Sequence, residues 1–309
     1  MSNLISSSNK FLIVISGPTG VGKSDLAIRL AQELNAEIFS ADSRQIYKEM
    51  TIGTAKPTFE ELSLVPHHFI NHVSIFDTYS AGHYEWDAKK LLHRYFQSNA
   101  IGILVGGTGL YIKALLNGLD NFPKVDQKVI DHLEIHYKES GLEWLQNQVR
   151  ILDPDYYHKV DLFNSRRLIR ALSVVLESNS TYTSFLEHEN KVTLPYHIIE
   201  IGLDVPRELL YERINKRVDS MISNGLVEEA SLLYQFKNYR PLETVGYQEL
   251  FQYFDHEISK YEAIELIKQN SRRYAKRQIT WFKKHGNWKY FKPDDFENIF
   301  HFITQKTAF

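Results

Sequence analysis

Short apolar runs alternate along this chain with longer stretches in which apolar positions recur at helical spacing. Phe11 to Ser16, Glu37 to Ala41, Ile101 to Val105 and Ile198 to Leu203 have the length and β-branched content of strands buried on both faces. Asp25 to Leu34 follows the first run with helical periodicity, Tyr79 to Asp87 opens another helix, and Arg207 to Phe236 and Ala263 to Lys284 are helical after the fourth run. Strands separated by helices predict an α/β fold, a parallel sheet with right-handed crossovers. Ligands of such sheets sit beyond the carboxyl ends of the strands. Three polar sequences are therefore expected to converge on one crevice: Thr19 to Ser24, Asp42 to Gln45, and Gly106 to Thr108.

Residues 119–195 carry helical periodicity and little strand character. Leu142, Leu145, Val149 and Leu152 recur at i, i+3, i+7 and i+10, and Leu168, Leu172 and Val175 repeat the pattern. This is too much chain for one crossover connection. The expected organisation is a core of residues 1–118 and 196–309, with C-terminal helices, and an inserted all-helical domain at 119–195.

The first run leads into Gly17-Pro18-Thr19-Gly20-Val21-Gly22-Lys23-Ser24, which fits G-x-x-x-x-G-K-[ST]. Its glycines let backbone N–H groups turn toward phosphate oxygens at the dipole-positive start of a helix. Lys23 would place a charge on the terminal phosphates and Ser24 would hold Mg²⁺. The sheet is thus expected to be of the P-loop NTPase kind. The third run ends in Val105-Gly106-Gly107, without the acidic residue that many P-loop NTPases use for their metal, which argues against a motor ATPase or GTPase. Asp42 stands where a carboxylate would face bound phosphates, to accept a proton or hold a magnesium-bound water; a turn aspartate is the plain alternative. Thr108 could donate to a phosphate or to Asp42, or satisfy its own backbone. Gln45 offers an amide able to read a base edge. Pro66-His67-His68 gives no metal spacing and reads as structural or substrate-lining.

Composition narrows the class. The chain has 309 residues, 43% hydrophobic and 24% charged, and no cysteine, which excludes disulfides and thiolate zinc sites. No apolar run approaches the ~20 residues that span a bilayer, and the polar start, Met1 to Lys10, lacks the apolar core of a signal peptide. A cytoplasmic monomer without an obligate protein partner is the expectation. A net charge of −2 leaves nucleic-acid binding to local patches. Arg166, Arg167 and Arg170 form one inside the insertion. From Lys268 to Lys284 there are seven basic residues, Arg273 and Arg277 among them, and no acidic one, interleaved with Tyr274, Trp281 and Phe282; such a helix suits a polyanion backbone.

Together these segments resemble the tRNA dimethylallyltransferase family, also called tRNA isopentenyltransferases. The likeness is carried by Gly17-Pro18-Thr19, Asp42-Ser43-Arg44-Gln45-Ile46-Tyr47, Pro66-His67-His68, Ala81-Gly82 and Val105 to Tyr111. It continues through Arg167 to Leu172, Gly225-Leu226-Val227-Glu228-Glu229, Val245-Gly246-Tyr247 and Tyr274 to Phe282. The resemblance implies transfer of a dimethylallyl group from dimethylallyl diphosphate to the exocyclic amine of the adenosine at tRNA position 37, immediately 3′ of the anticodon. Gly17 to Ser24 would then cradle the donor's diphosphate, with Mg²⁺ at Ser24. Asp42 would be general base, with Lys23 and Thr108 in the catalytic set. Arg213 and Arg217 both lie near a family arginine at the diphosphate, Arg217 being assigned to the donor. By the same resemblance Asp42, Ser43, Arg44, Gln45 and Thr108 touch the tRNA, as do Ile130, Arg166, Arg167, Leu168, Ile169 and Arg170 of the insertion, which would grip the anticodon stem-loop. Arg273 and Arg277 add to that surface. Rival readings are a small-molecule P-loop kinase, an isopentenyltransferase acting on free adenine nucleotides, and an RNA-binding protein without activity.

Overall fold

The computed structural model describes residues 10–186 and 194–307; the polar start of the chain up to residue 9 and residues 187–193 of the expected insertion lie outside them. Among the described residues, β1 (Phe11–Ser16), β2 (Glu37–Ser40), β3 (His67–His68), β4 (Ile101–Gly106), β5 (His197–Leu203) and β6 (Lys289–Phe291) form one parallel sheet in the order β3-β2-β4-β1-β5-β6. The four strands expected from apolar runs occupy its middle. The short edges, His67–His68 and Lys289–Phe291, have no apolar run to mark them.

The helices follow in chain order. Before the insertion come α1 (Lys23–Glu33), α2 (Phe59–Leu64), α3 (Ala81–Tyr95) and α4 (Gly109–Asn117). The insertion holds α5 (Gln127–Leu152), α6 (Pro154–Tyr157), α7 (Ser165–Ser178) and α8 (Tyr182–Leu186). After β5 come α9 (Arg207–Ser223), α10 (Leu226–Leu233), α11 (Gln248–Phe254), α12 (Lys260–Lys284) and α13 (Phe296–Thr307). The chain divides into two compact units, Met1–Leu116 with Thr193–Phe309, and Asn117–Val192.

In the sheet unit, strand alternation sends successive side chains to opposite faces. Leu12, Val14, Phe39 and Leu104 pack with Tyr84, Tyr111, Tyr247 and Phe282 on one side. Ile13, Ile15, Ile38, Ile103 and Ile201 pack with Leu26 and Leu30 of α1 and Ile299 and Ile303 of α13 on the other. Burying each such side chain stabilises the fold by roughly 1.5–3 kcal/mol, which fixes strand register and thereby the loops at the carboxyl edge. The close approach of β4 to the end of β2 depends on Gly106, where a Cβ would lie 2.2 Å from the Ala41 oxygen.

The insertion has its own core of Leu133, Leu145, Val149, Leu168 and Leu172. Its α5 breaks at Gly141, whose φ of 74° belongs to the left-handed region that favours glycine. Buried Asp153 ties the unit together by accepting the Thr183 N–H and hydroxyl, both at 2.8 Å.

Candidate active site

The phosphate loop springs directly from β1. Gly22, at φ 105°, is the N-cap of α1 and offers it no side-chain cap, so the first-turn N–H groups are left for a ligand. Lys23 Nζ donates to the Gly17 and Pro18 carbonyls at 3.0 and 2.8 Å. Burial lowers the Lys23 pKa to about 8, with neighbouring Asp42 opposing the shift and Arg217 adding to it. Arg217 Nη1 donates to Thr19 Oγ1 at 3.0 Å, and Arg213 Nη1 donates to the Val21 carbonyl at 3.3 Å. Both arginines therefore brace the loop, but of the two it is Arg217 that lines the cavity beside it. Burial lowers the Arg217 pKa as well, Asp42 again opposing.

After β2 the chain turns sharply at Asp42. Its Oδ1 accepts the Arg44 and Gln45 N–H groups at 2.8 and 3.2 Å, the turn role that stands as the plain alternative for this residue. That bond occupies one oxygen and orients the carboxylate, which borders the cavity. Thr108 does not donate to Asp42, one of the roles expected for it. Its N–H bonds the Ala41 carbonyl at 3.2 Å, which sets its hydroxyl one residue further along. There Oγ1 accepts the Ser43 N–H at 3.0 Å and donates to Ser43 Oγ at 3.2 Å. The Gln45 amide nitrogen donates to the Thr54 and Ala55 carbonyls at 3.3 and 2.9 Å, so these donors serve the fold. Arg44 Nη1 donates to the Pro241 carbonyl at 3.1 Å.

The expected convergence of Thr19 to Ser24, Asp42 to Gln45 and Gly106 to Thr108 is present. A cavity of about 90 Å³ is bordered by Thr19, Lys23, Ser24, Asp42, Gly107 and Arg217. Sequence reading missed what α12 contributes. Tyr274 and Gln278, one turn apart, also border the cavity. Gln278 Oε1 accepts the Thr19 N–H and its Nε2 donates to the Gly107 carbonyl, each at 2.9 Å. Burial, reinforced by Asp42, pushes the Tyr274 phenol up to about 12. His67 also lines the cavity, with Nδ1 2.9 Å from the Val65 carbonyl and a pKa lowered by burial. His68 pairs with Glu37 at 2.6 Å, and among the described residues no cluster of metal-ligating side chains is found.

The basic stretch of α12 is less bare than its sequence suggests. Lys268 pairs with Asp219 of α9 at 2.8 Å and with Glu265 at 3.0 Å, and Arg272 donates to Asn215 at 2.6 Å. One counter-charge, Asp219, thus comes from a neighbouring helix, which the sequence cannot show. Arg273 and Arg277 stay accessible on its surface. In the insertion, Arg166, Arg167 and Arg170 lie along α7 short of full burial, Ile169 and Ile130 are half-buried or more exposed, and Leu168 is fully buried in the unit's core. Leu168 therefore offers packing, and the arginines offer charge.

The sequence model of the IPP transferase family matches residues 45–285. The chain belongs to this family. Over 299 residues it is 48% identical to a tRNA dimethylallyltransferase of Christiangramia forsetii, covering 96% of this chain and 99% of the relative. It is 46% identical over 305 residues to one of Flavobacterium johnsoniae, covering 96% and 98%. Among solved structures it resembles the tRNA isopentenylpyrophosphate transferase of Bacillus halodurans, with TM-score 0.72, 35% identity and 97% of each chain covered. A eukaryotic dimethylallyltransferase acting on tRNA matches with TM-score 0.77 and 27% identity, covering 97% of this chain and 78% of that one. The phosphate loop and Asp42 precede the segment matched by the family model, and full-length similarity to the curated relatives extends the likeness across them.

Proposed function

We propose that this family member transfers the dimethylallyl group of dimethylallyl diphosphate to the N6 amine of adenosine 37 in tRNA, releasing diphosphate. The carrying observation is the shared cavity of Lys23, Arg217 and Asp42: two cations and one carboxylate border a phosphate loop that ends at the start of a helix. The cations suit a leaving group that gains negative charge, and the carboxylate suits a nucleophile that must lose a proton.

The loop amides, Lys23 and Arg217 bind the diphosphate and stabilise the charge that grows on it as the allylic C–O bond breaks. The adenine amine is a poor nucleophile because its lone pair is delocalised into the ring. Asp42, its Oδ1 fixed by two N–H groups, orients the amine and takes the proton displaced as the new C–N bond forms. Thr108 and Ser43 border the turn on which Asp42 stands. The Ser24 hydroxyl borders the same cavity and suits a hard cation that binds oxygen, so Ser24 would hold Mg²⁺ while Asp42 keeps its role as base. A Mg²⁺ ion at Ser24 would supply further positive charge to the diphosphate. The base leaves its stack to reach the donor at a cost of a few kcal/mol, least in a single-stranded loop. Arg166, Arg167 and Arg170, with Arg273 and Arg277, supply accessible charge for the RNA backbone. The reaction proceeds in the cytoplasm with the protein as a monomer.

Labelled dimethylallyl diphosphate offered with unmodified tRNA, or with AMP, ADP or ATP, separates this reading from its rivals. Label is expected in tRNA; label in free nucleotide, or a phosphorylated product, would replace the proposal by one of the others.

A further inference from the structure

Glu229 and Tyr247, from two segments that the chemistry above leaves unused, meet on one loop of the cavity wall. Thr51 to Lys56 is a single capped turn. The Lys56 N–H bonds the Thr51 carbonyl at 3.3 Å and the Ala55 N–H bonds the Ile52 carbonyl at 2.9 Å, the paired bonds that end a helix through a left-handed residue. Here that residue is Ala55, at φ 47°, where glycine is usual; the conformation costs about 1–2 kcal/mol and has to be held from outside.

Glu229 holds it. Its Oε2 accepts the Thr51 and Ile52 N–H groups at 3.0 and 2.8 Å, and its Oε1 accepts the Gly53 N–H at 2.9 Å and the Tyr247 hydroxyl at 2.7 Å. The free N–H groups that begin a helical turn are thus met by one carboxylate. Tyr247 is fully buried and packs so closely on Gly53 that a Cβ there would lie 2.6 Å from its ring. At the far end Gln45 takes up the Thr54 and Ala55 carbonyls. The turn delivers Ala55, and Pro57 just beyond it, to the cavity, where with Ala27, Ile38, Ile70 and Val105 they make up its apolar lining.

We propose that Glu229 is a positioning residue which, through this turn, limits the cavity to a five-carbon allylic chain. The inference rests on the reading of the cavity as the donor site. Ala55 and Pro57 stand in the apolar wall of the cavity, so making room there for a second isoprene unit requires them to move. The turn that carries them is pinned on three N–H groups at once.

The test compares kcat/KM for dimethylallyl diphosphate and geranyl diphosphate, offered in competition with the same tRNA. The ratio of the two is independent of the folded fraction, so a merely structural role leaves it unchanged. Glu229→Gln keeps the volume but loses one anionic acceptor, and Pro57→Ala trims the wall without touching Glu229. In both, the preference for the shorter donor is expected to fall by about 10-fold or more, the scale on which apolar pockets discriminate methylenes, and in Glu229→Gln the shorter donor's KM rises while kcat stays within about twofold. Should Glu229→Gln fail to fold, Tyr247→Phe takes its place. An unchanged preference in either the clasp variant or Pro57→Ala overturns the proposal. Failure of the wild-type protein to prenylate tRNA at all would instead overturn the donor-site reading, and is seen before any variant is made.

Discussion

Gln278 and Thr19 are joined by a hydrogen bond of 2.9 Å from the Thr19 N–H to Oε1, while the same amide donates to the Gly107 carbonyl. One buried side chain of α12 therefore latches the phosphate loop to the glycine turn after β4. Replacing it with leucine of similar size leaves both backbone groups unmet, at about 1–3 kcal/mol. Gln278→Leu is expected to melt several degrees lower and to raise the KM for dimethylallyl diphosphate. A thermal melt beside donor titration checks both, and an unchanged KM would show that the latch does not shape the loop.

Lys23 gives the site a pH dependence with two opposite signs. Its pKa is lowered by burial from the ordinary 10.5 to about 8 in the folded protein. Below about pH 8 the ammonium is charged and meets the donor; above it the charge is lost, so kcat/KM for the donor is expected to fall there. Between about 8 and 10.5 the unfolded chain binds more protons at this group than the folded one, so its contribution to stability rises with pH. Lys23→Met should flatten both profiles and lower donor affinity at neutral pH. Parallel pH series of activity and melting temperature read the two signs separately.

Asp42 offers a cleaner separation of turn and chemistry. Asp42→Asn keeps an oxygen able to accept the Arg44 and Gln45 N–H groups but no longer takes a proton. Single-turnover transfer is expected to slow by about 10²- to 10⁴-fold, the span of general-base loss, with tRNA binding and melting temperature near wild type. An unchanged rate would leave Asp42 as a turn residue alone.

The central strands were legible because their apolar runs are long enough to declare burial on both faces, and the phosphate loop because Gly17, Gly22 and Lys23 carry its geometry in their identities. The edges were not: His67–His68 and Lys289–Phe291 pair through backbone that any side chain permits. Gln278 and Tyr274 reach the cavity only because α12 packs over the carboxyl edge, whereas Arg217 of α9 was expected there from the family resemblance alone. An i, i+4 pair of polar residues, Tyr274 and Gln278, inside an otherwise basic helix was the available signal. Gln45 shows the converse. Its identity suggested base reading, whereas its amide nitrogen is bonded to Thr54 and Ala55, a loop arrangement visible only once the chain has folded.

Arg273 and Arg277 lie one turn apart on α12, away from its buried stripe. Reversing both to glutamate is expected to weaken tRNA binding strongly at low salt and to make the slope of log Kd against log salt shallower by about 2, near one unit for each phosphate no longer neutralised. The KM for dimethylallyl diphosphate should stay near wild type. Filter binding across a salt series decides the point, and an unaltered slope would assign this face to scaffold.

The central claim is that this chain joins a dimethylallyl group to the N6 amine of an adenosine beside the anticodon. It is tested most directly by mass spectrometry of two synthetic anticodon hairpins, incubated with the purified protein, Mg²⁺ and dimethylallyl diphosphate, one with adenosine at position 37 and the other with inosine, which lacks the amine. The adenosine hairpin is expected to gain the mass of one dimethylallyl group in place of a hydrogen, and the inosine hairpin none. No gain in the adenosine hairpin, or an equal gain in both, would contradict the account.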